Sequence, residues 1–403
     1  MFLPLPTSDK LGVLEPFICI DTMRALQGIR TSQVLVASIV ILTVFFTVSR
    51  FAPERFSTNP LGGNVRNSTQ NSKTSPYFNW QNPPEAQPAN ATLDFQEIIY
   101  LSMPYRTDRQ DALSLIAAAS GLKLTMIPGV SNDDVHPKAM PANNGPHDFT
   151  KKAWLGVWRA HANVWRYIID NDVQSALIIE DDVDWDVNIK DIMGNLNWQL
   201  RYNNTVRWGQ DNVQQGWDEE CAYGCDWDDI FLGQCGGNPN PNRLDLMSVI
   251  PDKDGPKLRD IHKNWQKEFT EMWNLTESEG VRVVSPTYDP ICLQAYAVTR
   301  MGAMRLLYHI GGWKPFGNPV DNEVAWRNVE GKVSGYTLSP PAFVPWKLGG
   351  AQDSDNNPEV KAQKLSNKGQ TGGESVGLKN SVRKSLAKLF QKNYWQDRED
   401  ELR

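Results

Sequence analysis

The chain has no basic surplus. Its 403 residues carry 41 Lys and Arg against 47 Asp and Glu, a formal net charge of −6. Binding a nucleic acid needs a basic face to neutralise phosphates, and this balance gives no sign of one. It also lacks a C-x-x-C pair. Of its five Cys residues, the most closely spaced are Cys221 and Cys225, with Cys235 following, which fits a zinc site poorly. No internal repeat is present, so repeat architectures are excluded. What is there is 40% hydrophobic and 10% aromatic, enough for a substantial core in one large or two ordinary domains. Its fifteen Trp residues offer flat faces of the kind carbohydrate sites use, and core packing uses them equally.

The most informative stretch is Ser175-Ala-Leu-Ile-Ile-Glu-Asp-Asp-Val-Asp-Trp-Asp186. Residues 176–179 form an uninterrupted apolar run, the pattern of a strand buried on both faces. Glu180, Asp181, Asp182, Asp184 and Asp186 then place five carboxylates within seven residues. Open α/β sheets bind ligands at such strand ends. Like charges crowded into one crevice call for a cation, and hard oxygen ligands suit Mn²⁺ or Mg²⁺. In a strand-like conformation alternate residues share a side, so Asp182 and Asp184, with Glu180, are expected to face one ion. The competing reading is a solvated acidic loop.

Residues 31–49 are uncharged between Arg30 and Arg50, close to the ~20 residues a membrane helix needs. Thirty residues precede this run, too many for an ordinary cleaved signal peptide, so a signal anchor is expected. Residues 1–30 then form a cytosolic tail and 50–93 a Pro-, Asn- and Ser-rich stem. Acceptor sequons begin at Asn67, Asn90, Asn203 and Asn274, all after the apolar run, which favours a single-pass type II arrangement with the bulk of the chain in the lumen of the endoplasmic reticulum or Golgi. Cys19 precedes the anchor and four Cys follow it; in an oxidising lumen those four are expected to form two disulfides, with three connectivities open.

From residue 94 to 350 the periodicity alternates. Strands are expected at 95–103, 122–127, 176–179, 229–233 and 294–298. Helices are expected at 109–120, 154–169, 187–200, 257–273 and 299–309. The expected fold class is α/β, a mainly parallel sheet with helices on both faces. Residues 351–403 change composition. A mobile stretch over 351–377 is expected, then a short basic amphipathic helix within 378–391, docked on the domain or bound to a lumenal membrane surface.

In order along the chain, Ile98-Ile-Tyr-Leu-Ser-Met-Pro-Tyr-Arg-Thr-Asp-Arg109, Gly156-Val-Trp-Arg-Ala-His-Ala-Asn-Val-Trp165, Ala176-Leu-Ile-Ile-Glu-Asp-Asp182, Trp227-Asp-Asp-Ile-Phe-Leu-Gly233, Ala295-Tyr-Ala-Val-Thr-Arg-Met-Gly-Ala-Met-Arg-Leu-Leu307 and Pro319-Val-Asp-Asn-Glu323 resemble the motifs of glycosyltransferase family 25, which includes lipopolysaccharide-type and collagen galactosyltransferases. The family's Ser before the helix His is Ala160 here, and its frequent Cys after the Gly is Val157. Polar insertions near 208–222 and 238–267 also differ. The resemblance implies a GT-A-type fold and a nucleotide-sugar donor carrying a hexose such as galactose, UDP-galactose being one such donor. It also implies a divalent metal, a glycan or glycoprotein acceptor, and inversion at the anomeric carbon.

On that reading Asp182 and Asp184 are the expected metal ligands or the groups that position them, and Glu180 and Asp181 either support those ligands or contact the donor sugar. Arg106 and Arg109 follow the first strand where a donor's phosphates or nucleoside would be held. Inversion needs a general base; Asp321 is the first candidate, Glu323 and Asp186 its rivals, and Asp321 is also placed to be a helix N-cap. His161 lies on an apolar stripe and reads as a core histidine. Asp228 and Asp229 line the acceptor crevice or are loop carboxylates. Two other classes fit parts of the pattern: a non-catalytic metal-dependent sugar-binding homologue, and a glycoside hydrolase using two carboxylates without a metal.

Overall fold

The computed structural model describes residues 85–145, 153–202, 221–237, 239–348, 353, 355 and 369–390. The expected cytosolic tail, the anchor and most of the stem lie outside these residues, as do the sequons at Asn67 and Asn203. Among the described residues no helix is long and apolar enough to cross a membrane.

Eight strands make one sheet in the order β2-β1-β3-β8-β5-β9-β7-β6. They are β1 (Glu97–Ser102), β2 (Thr125–Pro128), β3 (Ser175–Glu180), β5 (Asp229–Gly233), β6 (Ser248–Pro251), β7 (Val281–Pro286), β8 (Ala295–Thr299) and β9 (Gly335–Ser339). The pairs β1–β2, β1–β3 and β5–β9 are parallel and the other four antiparallel. Following these pairings across the sheet, only β8 and β7 run against the other strands. The sheet is therefore α/β in character but mixed. Two further strands, β4 (Val183–Trp185) and β10 (Phe343–Pro345), form a separate antiparallel pair.

Strand alternation sorts side chains to two layers. Leu177 and Ile179 pack with Ile98, Ile230 and Ala297 under α1 (Thr107–Ser120) and α3 (Ile189–Tyr202). Ala176 and Ile178 join Ile99, Phe231 and Tyr296 under α2 (Trp154–Asp170), α5 (Arg300–Ile310) and α6 (Val320–Val329). α2 carries the aromatic stripe seen in the sequence, and its Trp158 and Trp165 are fully buried. α1 stops at Gly121, whose φ of +62° is the left-handed cap that glycine accommodates.

Where a polar helix was expected over 257–273, the chain makes a short α4 (Lys263–Lys267) that widens into a π-helical turn, Glu268–Met272. Trp265, Phe269 and Trp273 still reach one small core with Val283. The end of the expected stem packs against the domain: Ala89 and Leu93 are buried, and Ala89 N–H donates to Lys190 O at 2.8 Å. Gly194 permits that approach, since a Cβ there would lie 1.9 Å from Gln87 O.

The C-terminal helix α7 (Val382–Phe390) docks on the domain. Val382 is buried and Leu386 packs against the same core as α1 and α3. The four Cys after the apolar run pair as Cys221–Cys225 and Cys235–Cys292, one of the three open connectivities.

Candidate active site

A cleft of about 770 Å³ opens at the C-terminal ends of β1 and β3. The register sets its floor: Leu101 of β1 lies beside Glu180 of β3, so Ser102 and Met103 end level with Asp181. β8 runs the other way, so its entry arrives at the same end, where Cys292 and Gln294 line the cleft. Ala153, at the N-cap of α2, and the helix face bearing Gly156, Val157, Ala160 and His161 form one wall, and Pro345 to Lys347, from the last residue of β10 onward, contribute to another.

The expected alternation of carboxylates does not survive folding. β3 ends at Glu180, a turn follows at Asp181 and Asp182, and the chain then enters β4 in a different sheet. Glu180, Asp181 and Asp182 line the cleft, whereas Asp184 and Asp186 do not. The Asp184 side chain is fully buried and accepts hydrogen bonds from Ser375 Oγ at 2.9 Å, Ser381 Oγ at 2.5 Å, Trp185 N at 3.0 Å and Arg383 N at 3.3 Å. It anchors the segment leading into α7. Asp186 does the same, accepting from Asn188 N at 3.0 Å and Asn380 N at 2.7 Å. Burial raises its pKa, against those hydrogen bonds. Three of the five carboxylates, Asp181, Asp184 and Asp186, are buried, so the stretch is not a solvated acidic loop.

Inside the cleft the charges are unequal. Glu180, Asp181, Asp182, Asp353 and Asp355 face only Arg109 and Lys347 as cations among the lining residues. Arg109 donates to Asp181 Oδ1 at 2.7 Å and to Asp353 O at 2.6 Å, and lies 3.3 Å from Asp182 Oδ2. Its Nε is buried without a partner. Asp181 is further held by Ser102 Oγ–H at 2.6 Å. Arg106 sits outside the lining, tied to Asp108 at 2.9 Å, Asp353 at 2.8 Å and Asp355 at 3.2 Å.

Asp182 keeps 27% of its side chain exposed, and its carbonyl accepts from Trp346 N at 2.6 Å. Burial pushes the Glu180 pKa up to about 8, with the charges of Asp182 and Asp181 adding to it, Arg109 opposing and Asp321 adding. Burial also raises the pKa of Asp182, against the pull of Arg109. A divalent cation would take the place of the proton that Glu180 holds near neutral pH.

Among the described residues no three His, Cys, Asp or Glu side chains are grouped so as to hold a metal ion. Glu180 and Asp182 supply two carboxylates, the number by which Mg²⁺-type ions are held when substrate phosphates and water complete the shell. The residues present fit a metal that arrives with a phosphorylated ligand, and do not form a cage of their own.

Of the base candidates, Asp321 lies nearest the cleft. It sits in the first turn of α6, after the N-cap position at Pro319, and its Oδ2 accepts from the N–H of the cleft-lining Cys292 at 3.2 Å. Glu323 is buried, accepting from Gly317 N at 3.3 Å and Asn318 Nδ2 at 2.9 Å and pairing with Arg327 at 3.2 Å. Asp228 and Asp229 lie toward the opposite end of the sheet: Asp229 is level with Val298, whereas Ile179, beside Glu180, is level with Ala295. Asp228 pairs there with Arg305. Burial pushes the pKa of Asp229 up to about 7, opposed by its bond from Asn328.

His161 is a core residue and a cleft residue at once. It is 1% exposed and lines the cleft beside Val157 and Ala160, the two positions where the family pattern departs. Burial lowers its pKa to about 4. Ser102, Lys347 and Asp353 also belong to the cleft and were not among the expected site residues, although Ser102 lies within the Ile98 to Arg109 segment. The signal for Ser102 is its place at the end of the first strand; for the other two there is none.

No family model matches the chain. It is 24% identical over 190 residues to procollagen galactosyltransferase 1 of Danio rerio, an alignment covering 42% of this chain and 25% of that protein. The matched region thus spans about a quarter of its relative, and the relation to a galactosyltransferase is distant.

Proposed function

We propose that the chain is a glycosyltransferase that moves a hexose from a nucleotide sugar to a glycan or glycoprotein acceptor, on a GT-A-type α/β domain. One observation carries the reading: an acid-rich cleft at the ends of β1 and β3 in which Glu180, Asp181 and Asp182 share the single guanidinium of Arg109. The distant relation to a galactosyltransferase supports it. The leaving group of a nucleotide sugar is a diphosphate, and Mn²⁺ or Mg²⁺ held by Asp182 with Glu180 would supply the Lewis acid that takes up its charge. Arg109 would meet the same phosphates. Arg106, which meets Asp353 and Asp355 at the cleft mouth, would join it once those carboxylates yield. Asp181 positions Arg109, and Asp321 is the candidate for the base that takes the acceptor's proton. Galactose from UDP-galactose is the donor to test first. The work would take place in the lumen of the endoplasmic reticulum or Golgi, with residues 31–49 as the anchor.

The test is a screen of nucleotide sugars against the detergent-solubilised full chain with Mn²⁺. Chelator-sensitive release of nucleoside diphosphate, with sugar appearing on an acceptor, is expected. Binding of the nucleotide sugar without turnover would point to the sugar-binding homologue. Chelator-insensitive cleavage of glycosides would point to a hydrolase.

A further inference from the structure

At the α2 wall of the cleft, three buried side chains fix the position of one proton. Trp165 Nε1 can only donate, and it gives its N–H to the Tyr296 hydroxyl at 3.0 Å. The other neighbour of that hydroxyl is His161 Nδ1, at 2.9 Å. All three residues are at most 1% exposed. If Nδ1 carried a proton, the Tyr296 oxygen would receive two donors and its own proton would be left without an acceptor in the core, at a cost of ~1–3 kcal/mol. The arrangement that satisfies every group runs from Trp165 to Tyr296 to His161, with Nδ1 as acceptor. The ring is neutral, because burial disfavours its charged form, so its single proton sits on Nε2. That nitrogen has no protein partner among the described residues and is not among the buried orphaned atoms. Since His161 lines the cleft, Nε2–H is directed at whatever fills it.

We propose that His161 is a ligand-binding residue whose Nε2–H, fixed by the Trp165–Tyr296 relay, donates to a hydroxyl oxygen of the donor's sugar. A neutral donor suits an uncharged oxygen, whereas the phosphates have Arg109 to meet their charge. Glu180 lies in the same cleft and is close enough to act on the charge of Tyr296. A sugar hydroxyl both accepts and donates, so it can take the His161 proton while giving its own to Glu180. This rests on the nucleotide-sugar reading of the cleft; the tautomer does not.

Two measurements keep those claims apart. With five His in the whole chain, ¹⁵N-histidine NMR of the full-length protein resolves the His161 tautomer without any ligand. Nε2–H is expected in the wild type, and Tyr296→Phe is expected to lose that preference; Nδ1–H in the wild type would overturn the relay. For the ligand, affinities of UDP-galactose and of UDP alone are compared in the presence of Mn²⁺. His161→Leu is expected to weaken UDP-galactose about tenfold and UDP hardly at all, the loss of one net hydrogen bond. His161→Gln, which keeps an N–H near Nε2, is expected to restore most of it. Equal weakening of both ligands, or no rescue by Gln, would overturn the assignment to the sugar. Failure of the wild type to bind either ligand would refute the nucleotide-sugar reading and the sugar contact with it, while the tautomer result stands by itself.

Discussion

At the scale of single residues, Glu180 makes the sharpest prediction. Its folded-state pKa of about 8 exceeds that of an exposed carboxyl, so between roughly pH 4.5 and 8 the metal-free native state binds more protons than the unfolded chain. Stability contributed by the protonated form is complete below the unfolded pKa and is lost as pH rises through the folded one. Glu180→Gln should therefore flatten the fall in melting temperature between pH 5 and 8, and stabilise the metal-free protein at pH 8 by ~1 kcal/mol or more. Thermal unfolding at both pH values with chelator present checks this, and a variant as pH-sensitive as the wild type would contradict it. Mn²⁺ should bind more tightly as pH rises, with proton release measurable by calorimetry in two buffers of different ionisation enthalpy. Glu180, Asp182 and Arg109 were legible from their place beside strand ends. Asp184 and Asp186 were misplaced because period-2 reasoning assumes an unbroken strand, and the turn at Asp181 and Asp182 carries no Gly or Pro to announce it.

At the scale of elements, α7 depends on the same acidic stretch that builds the cleft. Val382 is buried, and the Arg383 guanidinium donates to Val183 O at 2.9 and 3.0 Å from beside the Trp346 ring. Val382→Asp places a carboxylate in that core and should cost ~3 kcal/mol or more, read as a lower urea midpoint. Lys388→Glu, on a helix bound through its other face, should leave stability within ~0.5 kcal/mol. A mild Val382→Asp would mean that α7 contributes little to the fold. Amphipathic spacing identified this helix, but periodicity names a face and not its partner, so docking became visible only with Asp184, Ser381 and Arg383 together. Strands β6, β7, β9 and β10 went unread for a related reason. β6, β9 and β10 are short, and all four mix their apolar residues with Ser, Thr, Pro or, in β7, Arg282, a pattern shared with loops.

At the scale of the whole molecule, the α/β class followed from alternating periods, while the two reversed strands did not, since strand direction is set by connections that local pattern does not encode. The Cys235–Cys292 bridge closes 57 residues and joins the end of β5 to the approach of β8. Replacing both by Ser should lower stability by ~2–4 kcal/mol and loosen the cleft wall at Cys292. Reduction of the wild type without loss of melting temperature would contradict that. Two neighbouring carboxylates divide the labour: Asp182 lines the cleft, and Asp184 holds the C-terminal segment. Asp→Asn at each position, assayed on one preparation for melting temperature and Mn²⁺-dependent turnover of the nucleotide sugar that the screen selects, separates the two. Asp182→Asn should lose about a hundredfold to a thousandfold in turnover with the fold intact. Asp184→Asn should lose ~1–3 kcal/mol of stability while its folded fraction turns over near the wild-type rate. Wild-type turnover by Asp182→Asn would contradict the account.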